Sequence, residues 1–279
     1  MVRSMPRALL ILLFGLVACV AQAQLIIGHR GASHDAPENT LASFNLAWEQ
    51  GADGVEGDFY LSADGKIVCI HDKDTERVAG VKHVVVETAF AELRKLDVGA
   101  WKGDRWRGER IPTLEEVLET VPAGKKVFIE LKVGPEIVLP LQRELAASSL
   151  SPEQIVIIAF NKETVAACEK LMPHLRSHWL TSYKEQDDGA WQPSAIEVAT
   201  TVKHLGADGL GSKAFLEFVD KAFIDQFRAA GGDEFHVWTV NEIDVAKQYQ
   251  QFGAWSITTD RPGWLRRQLH PAAPAAVAE

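Results

Sequence analysis

Two carboxylates and a histidine lie close together in residues 54–72 of this sequence, GVEGDFYLSADGKIVCIHD. Glu56 and Asp58 are two residues apart, so they project from one face if this segment is a β-strand. His71 follows the β-branched apolar run KIVCI, which also predicts a strand. Carboxylate oxygens suit hard cations such as Mg²⁺ or Ca²⁺, and a histidine beside such an ion can transfer protons near neutral pH. These residue types indicate a metal-assisted acid–base site.

A hairpin would bring these three side chains to one face. Asp64-Gly65 lies between the two strand-like halves and is typical of a two-residue type I′ turn. Directly opposed side chains in such a hairpin share a face, about 5 Å apart at Cβ. Taken alone, the segment also fits a solvated strand face followed by a turn. The two-residue turn predicts three opposed pairs: Ala63 with Lys66, Leu61 with Val68, and Asp58 with His71.

Charged and polar residues also follow the other apolar runs. His29 and Arg30 follow the run LII, Glu130 and Lys132 end the run VFIELK, and Asp260 follows the run near the C-terminus. Burying an unpaired charge costs several kcal/mol, so a shared metal ion and a bound anion would explain these residues together. Surface positions at strand ends would explain one or two of them, but not the whole set.

The elements that position these residues are predicted by alternating strand and helix patterns. Eight β-α units over about 250 residues predict a TIM (β/α)8 barrel, whose active site lies at the C-terminal ends of the strands. Residues 66–71 then form a ninth, antiparallel strand, because a short turn cannot make a parallel crossover. A doubly wound open sheet is the alternative, but no glycine-rich phosphate-binding sequence follows the first strand. The eight parallel strands are predicted near Leu25, Val55, Val127, Ile155, Trp179, Asp208, Phe235 and Trp255.

One segment interrupts this alternation. Residues 72–111 carry no parallel-strand pattern, and we predict an insertion there within one domain of residues 24–270. Inside it, residues 83–86 are a candidate strand and residues 89–96 a short helix. Before the hairpin, Asn39 is the predicted N-cap of a helix that ends near Glu49.

The composition indicates an acidic globular protein. The chain has 279 residues, 47% of them hydrophobic, and a formal net charge of −9. This charge argues against nucleic acid or an anionic membrane surface as a general partner, and the oligomeric state is not predicted. Cys69 and Cys168 are expected to be free, buried thiols.

The first 23 residues have the pattern of a secretory signal peptide. Arg3 and Arg7 precede an apolar run that ends before the small-x-small sequence AQA at residues 21–23. The run is too short for an integral membrane span, so we expect export to the periplasm or beyond. Cys19 ends a lipoprotein-like sequence, LVAC, but the short tether to the first strand favours soluble export. The Pro/Ala-rich residues 271–279 are expected to be disordered.

Five segments of the sequence resemble the glycerophosphodiester phosphodiesterase family, in the family's order and over residues 25–265. This resemblance implies a TIM barrel with an insertion after the hairpin. It also implies hydrolysis of small-molecule glycerophosphodiesters to sn-glycerol 3-phosphate and an alcohol, with one divalent cation, Ca²⁺ or Mg²⁺. The segments are GHRGASHDAPENTLASF (28–44), GADGVEGDFYLSADGKIVCIHD (51–72), FIELK (128–132), FHVWTVN (235–241) and ITTDRPGWL (257–265).

The resemblance further implies roles for eight residues. One departure is Ala159-Phe160, where the family often has Ser-Phe, so this strand lacks that polar side chain. Phospholipase D-like or phosphoinositide phospholipase-like enzymes on the same barrel, and an inactive binding protein, are the alternatives. None of the charged site residues is lost, which argues against the last. The implied acid–base pair is His29 and His71, the metal ligands are Glu56, Asp58 and Glu130, and the substrate contacts are Arg30, Lys132 and Trp238.

Overall fold

The structure is a computed structural model that describes residues 24–271. The predicted signal peptide, with Cys19, and residues 272–279 of the predicted tail lie outside this part of the chain. The expectations of export, of a free N-terminus rather than a lipid anchor, and of a disordered tail therefore stay predictions. In residues 24–271 no helix has the length and apolar character needed to cross a membrane.

Eight parallel strands close into a barrel, which confirms the predicted TIM fold. The described residues contain eleven strands: β1 (Leu25–His29), β2 (Gly54–Leu61), β3 (Ile67–Cys69), β4 (Lys126–Leu131), β5 (Ile155–Ala159), β6 (Arg176–Thr181), β7 (Lys184–Glu185), β8 (Trp191–Gln192), β9 (Gly209–Lys213), β10 (Glu234–Trp238) and β11 (Ser256–Thr259). The eight barrel strands pair in the order β1-β2-β4-β5-β6-β9-β10-β11, and β1 also pairs with β11, so the sheet is closed rather than open. The other three lie outside this ring: β3 pairs antiparallel with β2, and β7 pairs with β8.

Helices follow the barrel strands and cover the outside of the barrel. Short 3₁₀ turns at Val85–Glu87, Ala100–Lys102, Asp104–Trp106, Pro135–Ile137 and Pro152–Gln154 complete the connections. The helices are α1 (Leu41–Glu49), α2 (Glu76–Ala79), α3 (Phe90–Leu93), α4 (Leu114–Glu119), α5 (Val138–Ala147), α6 (Lys162–Leu171), α7 (Ala195–Leu205), α8 (Lys221–Ala229), α9 (Ile243–Gln251) and α10 (Pro262–Leu269).

The barrel strands separate two apolar layers because successive side chains point to opposite faces. One set fills the barrel interior and includes Ile27, Phe128 and Leu180. The alternate set, for example Ile26 and Val127, packs under the surrounding helices. Since apolar side chains fill much of the interior, a site is expected at the C-terminal ends of the strands, where the barrel opens.

The hairpin register differs from the prediction by one residue. Leu61 pairs with Ile67 rather than with Val68, so the loop has three residues, 63–65, instead of two. Gly65 adopts a left-handed φ of 80°, as three-residue hairpin loops require. The Ser62 hydroxyl accepts a hydrogen bond of 3.0 Å from the backbone N–H of Lys66, which stabilises this wider loop.

The predicted opposition of Asp58 and His71 is therefore wrong. The backbone oxygen of Asp58 accepts a hydrogen bond of 2.9 Å from the N–H of Ile70, which makes Ile70 the residue across from it. His71 lies beyond the end of β3, where the chain has left the sheet. Its approach to the carboxylates depends on the following loop rather than on strand pairing.

Two local predictions are also corrected. Thr40, not Asn39, is the N-cap of α1, and its hydroxyl accepts a hydrogen bond of 3.2 Å from Ser43 N–H. Residues 83–86 do not form a strand; among the described residues they bridge another segment at a single position, Val84 with Asp74. A β-branched run without a neighbouring strand has no ladder to join, and it turns into a 3₁₀ helix whose Val85 is buried.

The inserted segment packs on the hairpin. Its small apolar cluster includes Val78, Val85 and Leu93, together with Val68 and Ile70 from the hairpin. The two cysteines in the described part of the chain belong to other regions: β3 carries one and α6 the other. Both are buried and free, as predicted.

Candidate active site

A cavity of about 180 Å³ lies at the C-terminal end of the barrel. Seven of the eight predicted site residues line it. The eighth, Asp58, is buried and lies against two of the seven, Arg30 and Lys132. The structure thus brings the whole predicted set together, although those residues come from β1, β2, β4, β10 and three loops. The seven lining residues are His29, Arg30, Glu56, His71, Glu130, Lys132 and Trp238.

Three carboxylates converge because β2 and β4 are neighbours. Asp58 lies beside Glu130 in the parallel register, and Glu56 is two residues earlier on β2. Each of the three offers an oxygen within 4.8 Å of the others. Glu56 and Asp58 are only 3% and 1% exposed, so this negative charge is held away from solvent.

Cations beside the cluster keep Asp58 ionised. Burial alone would raise its pKa, but Lys132 and Arg30 outweigh burial and lower the pKa to about 2. Lys132 Nζ lies 3.1 Å from Asp58 Oδ1 and donates a hydrogen bond of 2.7 Å to Glu130 Oε1. Lys132 therefore ties the two strands together at the site.

The other two carboxylates have raised pKa values. Burial raises the pKa of Glu56 well above its ordinary value, and repulsion from Asp58 and Glu130 adds to this. Burial and Asp58 likewise raise the pKa of Glu130 to about 7. Within residues 24–271, Glu56 Oε1 is buried without a hydrogen-bond partner. A divalent cation would satisfy that oxygen and relieve the repulsion, and three oxygen ligands fit Mg²⁺ or Ca²⁺ better than zinc.

We expect Ca²⁺ or Mg²⁺ to raise the melting temperature more at about pH 8 than at about pH 5. The pKa of Glu130 is raised in the folded protein without a cation. Between about pH 4.5 and pH 7, Glu130 therefore keeps its proton in the folded protein, whereas it has lost that proton in the unfolded chain. Stability contributed by these protons is present at low pH and lost as pH rises through the folded pKa. A bound cation replaces these protons at the carboxylates, so the stabilisation of the folded protein by the cation grows as the pH rises over the same interval. Thermal unfolding with and without each cation measures this; an equal shift at both pH values would contradict it.

His29 is oriented by a carboxylate from the opposite end of the chain. Its Nδ1 lies 2.7 Å from Asp260 Oδ1. Asp260 also accepts hydrogen bonds from Asn241 Nδ2 and Ser33 Oγ. Burial would raise the pKa of Asp260, but His29, Asn241 and Ser33 outweigh it and lower that pKa. An ionised Asp260 can only accept, so it holds the proton on Nδ1 and leaves Nε2 of His29 for proton transfer.

His71 has the same arrangement with its own neighbour in sequence. Its Nδ1 lies 2.7 Å from Asp72 Oδ1, and Asp72 Oδ2 accepts a hydrogen bond of 2.6 Å from Arg77 Nε. Burial lowers the pKa of His71, and the Asp58 carboxylate opposes this without reversing it. The imidazole is therefore neutral near pH 7 and can accept a proton.

A chain of ion pairs connects the two halves of the site. Arg30 adopts a left-handed φ of 53°, which directs its backbone N–H to Glu56 Oε2 at 2.9 Å. Its guanidinium lies 3.2 Å from Asp58 and donates a hydrogen bond of 2.9 Å to Glu38. Glu38 also accepts two hydrogen bonds from Arg77, the residue that holds Asp72 beside His71.

Sequence reasoning missed Asn39 as a site residue. Its Nδ2 donates a hydrogen bond of 2.8 Å to Asp58 Oδ2, and its Oδ1 accepts one of 3.2 Å from the Asp58 N–H. Asn39 has a φ of 56°, a conformation that asparagine tolerates better than most residues. Its position in the Pro-Glu-Asn-Thr sequence was the available signal, and that signal also fits a helix cap. The roles of Asp72 and Asp260 as partners of the two histidines were likewise not predicted.

One wall of the cavity is apolar. Phe160 and Trp238 meet edge to face with ring centroids 5.5 Å apart, and Ile158 and Leu180 extend the same wall. Ala159, where the sequence departs from the resemblance, is fully buried under the helices. It does not line the cavity, so this strand contributes apolar rather than polar surface.

A second histidine pair lies inside the barrel. His178 and His236 are buried, with their Nδ1 atoms 2.7 Å apart, and His178 Nε2 lies 2.6 Å from Glu234. His236 lines the cavity, and burial lowers its pKa well below the usual range. His236 lies in the segment FHVWTVN, but the sequence gave no sign that it pairs with His178.

The sequence is similar to those of known phosphodiesterases. The sequence profile described as the Glycerophosphoryl diester phosphodiesterase family matches residues 29–264. A glycerophosphodiester phosphodiesterase of Caldanaerobacter subterraneus is 39% identical over 158 residues, which cover 54% of this chain and 64% of that protein. A glycerophosphodiester phosphodiesterase of Bacillus subtilis is 30% identical over 254 residues, covering 85% of this chain and 84% of that protein.

A solved structure gives the same result for the fold. A phosphodiesterase of Oleispira antarctica, in complex with the product sn-glycerol-3-phosphate, superposes with a TM-score of 0.79. It is 30% identical, and the match covers 88% of this chain and 96% of that one.

Proposed function

Because this chain belongs to the glycerophosphoryl diester phosphodiesterase family, we propose that it hydrolyses glycerophosphodiesters to sn-glycerol 3-phosphate and an alcohol. The observation that carries this proposal is the convergence of three carboxylates and two carboxylate-bound imidazoles on one cavity. A phosphodiester is an anion that repels nucleophiles, so its hydrolysis needs both charge neutralisation and proton transfer.

The cavity has separate surfaces for the two parts of glycerol phosphate. Arg30 and Lys132 line it on the side of the carboxylates, where they can bind the non-bridging phosphate oxygens. Trp238 and Phe160 lie on the apolar side, where they can pack against the carbon atoms of glycerol. This division of the cavity supports substrates that share a glycerol phosphate group and differ in the alcohol.

Glu56, Asp58 and Glu130 would hold one divalent cation, Ca²⁺ or Mg²⁺. When bound, that cation neutralises phosphate charge and stabilises the charge that develops on the non-bridging oxygens. The buried, unpartnered Oε1 of Glu56 supports this assignment. Lys132 and Arg30 then add positive charge next to the cluster, since both lie within 3.2 Å of Asp58.

His29 and His71 would act as the acid–base pair. Each donates its Nδ1 proton to an aspartate, Asp260 or Asp72, so each presents Nε2 for exchange with the substrate. One imidazole removes a proton from the attacking hydroxyl, and the other protonates the departing alcohol oxygen. Each transfer is typically worth about 10²–10⁴-fold in rate.

The attacking hydroxyl is proposed to be the 2-hydroxyl of the substrate's own glycerol. It is already held near phosphorus once the substrate binds, and such intramolecular attack reaches effective molarities of about 10⁵ M or more. A bond forms from the 2-oxygen to phosphorus as the bond to the alcohol oxygen breaks, giving a cyclic glycerol phosphate. Water then opens the ring, with the two histidines in reversed roles.

The 2-deoxy analogue of the substrate is expected to react more slowly than the parent by about 10²-fold or more, because it forces attack by water. Release of the alcohol from the two compounds under saturating conditions measures this. A matched 1-deoxy control, in which the 2-hydroxyl is retained, should keep most of the activity. Equal rates for parent and 2-deoxy substrate would show direct attack by water and exclude the cyclic route.

The function itself is tested with a panel of glycerophosphodiesters and enzymatic detection of sn-glycerol 3-phosphate. Release of that product from several members is the expected result. Cleavage of diacyl phospholipids without cleavage of the deacylated compounds would instead indicate a phospholipase-like enzyme. Binding of the panel without turnover, in the presence of Ca²⁺ or Mg²⁺, would indicate a binding protein.

A further inference from the structure

A second cavity, of about 410 Å³, adjoins the catalytic one. The two cavities share His29 and Arg30 in their walls. Beyond these, the second cavity is lined by Trp101 and Lys102 from the inserted segment and by Arg261 after β11. A substrate whose phosphorus lies beside His29 and Arg30 therefore has space on this side for the rest of the molecule.

The negatively charged side chains that line this second cavity are paired with basic side chains, whereas two of its positively charged side chains are not directly paired with carboxylates of the described residues. Its carboxylates are already bonded: Glu38 to Arg30 and Arg77, and Asp260 to His29. Lys102 Nζ instead donates a hydrogen bond of 2.7 Å to the backbone oxygen of Ser33. This contact is with a neutral group, and no carboxylate in the described part of the chain forms an ion pair with Lys102.

Arg261 has a carboxylate nearby but not in direct contact, and its charge is one of the causes that lower the pKa of Asp35. Arg261 Nη2 lies 2.8 Å from Nε2 of His34. The other ring nitrogen of His34, Nδ1, lies 2.7 Å from Asp35 Oδ1. Within residues 24–271, neither Lys102 nor Arg261 has a carboxylate oxygen within 4.0 Å. Two cations without a directly paired carboxylate thus face one cavity in a protein with a net charge of −9.

The aromatic residue of this cavity does not favour a cationic ligand. The Trp101 ring is 42% exposed, and an exposed indole face often binds quaternary ammonium groups. Here Lys102 Nζ already lies 5.5 Å from the ring centroid. A choline group on that face would meet the lysine ammonium, and like charges repel.

We propose that the second cavity binds the alcohol part of the substrate, and that it selects alcohols bearing a negatively charged group such as a second phosphate. The inference rests on the proposed glycerophosphodiester hydrolysis. It assigns the inserted segment a part in substrate choice through Lys102, while Arg261 contributes from the barrel itself. Attraction by local cations in an otherwise acidic protein also raises the local concentration of such substrates.

Three substrates with the same scissile group test the proposal. They are glycerophosphoglycerol, the same compound with a phosphate on the head-group glycerol, and glycerophosphocholine. For the unmodified protein, kcat/KM is expected to be at least about tenfold higher for the phosphorylated head group than for choline at low salt. The difference should appear mainly in KM and shrink as salt is added, because ions screen exposed charges.

Two variants of Lys102 separate charge from structure. Lys102→Glu reverses the charge and should lower kcat/KM for the phosphorylated substrate by about tenfold or more, with little effect on the neutral one. Lys102→Gln removes the charge but keeps a donor for Ser33, so it should give a smaller loss of the same kind. Lys247→Glu, at an exposed position on α9, is the matched control and should change none of the three values.

The outcomes are distinguishable. Equal kcat/KM for the charged, neutral and choline substrates would overturn the proposal while leaving glycerophosphodiester hydrolysis in place. An equal loss on all three substrates in both Lys102 variants would also overturn it, since that pattern reports a structural role. No cleavage of any of the three by the unmodified protein would overturn the proposed function and this inference together.

Discussion

Replacing either His29 or His71 with alanine is expected to lower kcat by about 10²–10⁴-fold. Each imidazole lines the cavity, and its Nδ1 lies 2.7 Å from Oδ1 of its own aspartate partner. Neither belongs to the carboxylate cluster, so affinity for Ca²⁺ or Mg²⁺ should be nearly unchanged. Steady-state turnover and calorimetric titration with the cation measure the two quantities separately.

The double variant and a remote histidine complete this test. If the two imidazoles act in one concerted proton transfer, removing both should cost little more than removing one, because residues that act as a unit are not additive. His204→Ala, at an exposed position on α7, should leave kcat unchanged. Near-normal turnover in either single variant would show that the two histidines are not the acid–base pair.

Removal of divalent cations is expected to lower turnover by about 10³-fold or more. A bound cation supplies several kcal/mol of transition-state stabilisation, and about 1.36 kcal/mol corresponds to each factor of ten. Addition of Ca²⁺ or Mg²⁺ should restore activity, whereas zinc should restore less of it because the ligands are all oxygen atoms. The measurement is turnover before and after exhaustive chelation, with the metal content determined in the same sample.

Single ligand variants locate the cation. Glu56→Gln removes the charge of the carboxylate whose Oε1 has no hydrogen-bond partner among residues 24–271, and it should weaken cation affinity together with turnover. Glu136→Gln, at an exposed position beyond β4, is the matched control and should retain both. Full turnover in chelated protein that is free of metal would exclude the metal-assisted mechanism.

Much of this molecule could be predicted from local sequence patterns. The eight parallel strands follow from short apolar runs that alternate with helical periodicity, and both patterns depend on residues close in the chain. The carboxylates and histidines could be identified because the carboxyl ends of barrel strands converge on one face whatever the details of packing. For the same reason the three carboxylates Glu56, Asp58 and Glu130 lie together, even though the predicted hairpin register differs from the observed one by one residue.

The contacts that orient these residues needed the tertiary structure. Asp-Gly fits both a two-residue and a three-residue hairpin loop, and the hydrogen bond from Lys66 N–H to the Ser62 hydroxyl stabilises the longer loop. Asn39 fits a helix cap equally well until Asp58 is found at 2.8 Å from its side chain. In the hairpin the deciding contact lies within the loop itself, whereas for Asn39 a contact with another segment decides between the two local interpretations.

The sequence by itself determined the fold and the types of residue at the site, while the tertiary structure decided how those residues are held and what surrounds them. His29 and Asp260 are 231 positions apart and meet only because β1 pairs with β11 and closes the barrel. Lys102 and Arg261 face the same cavity only because the insertion folds over that closure. Periodicity is set by neighbours along the chain, whereas such contacts depend on which distant segments the closed barrel brings side by side.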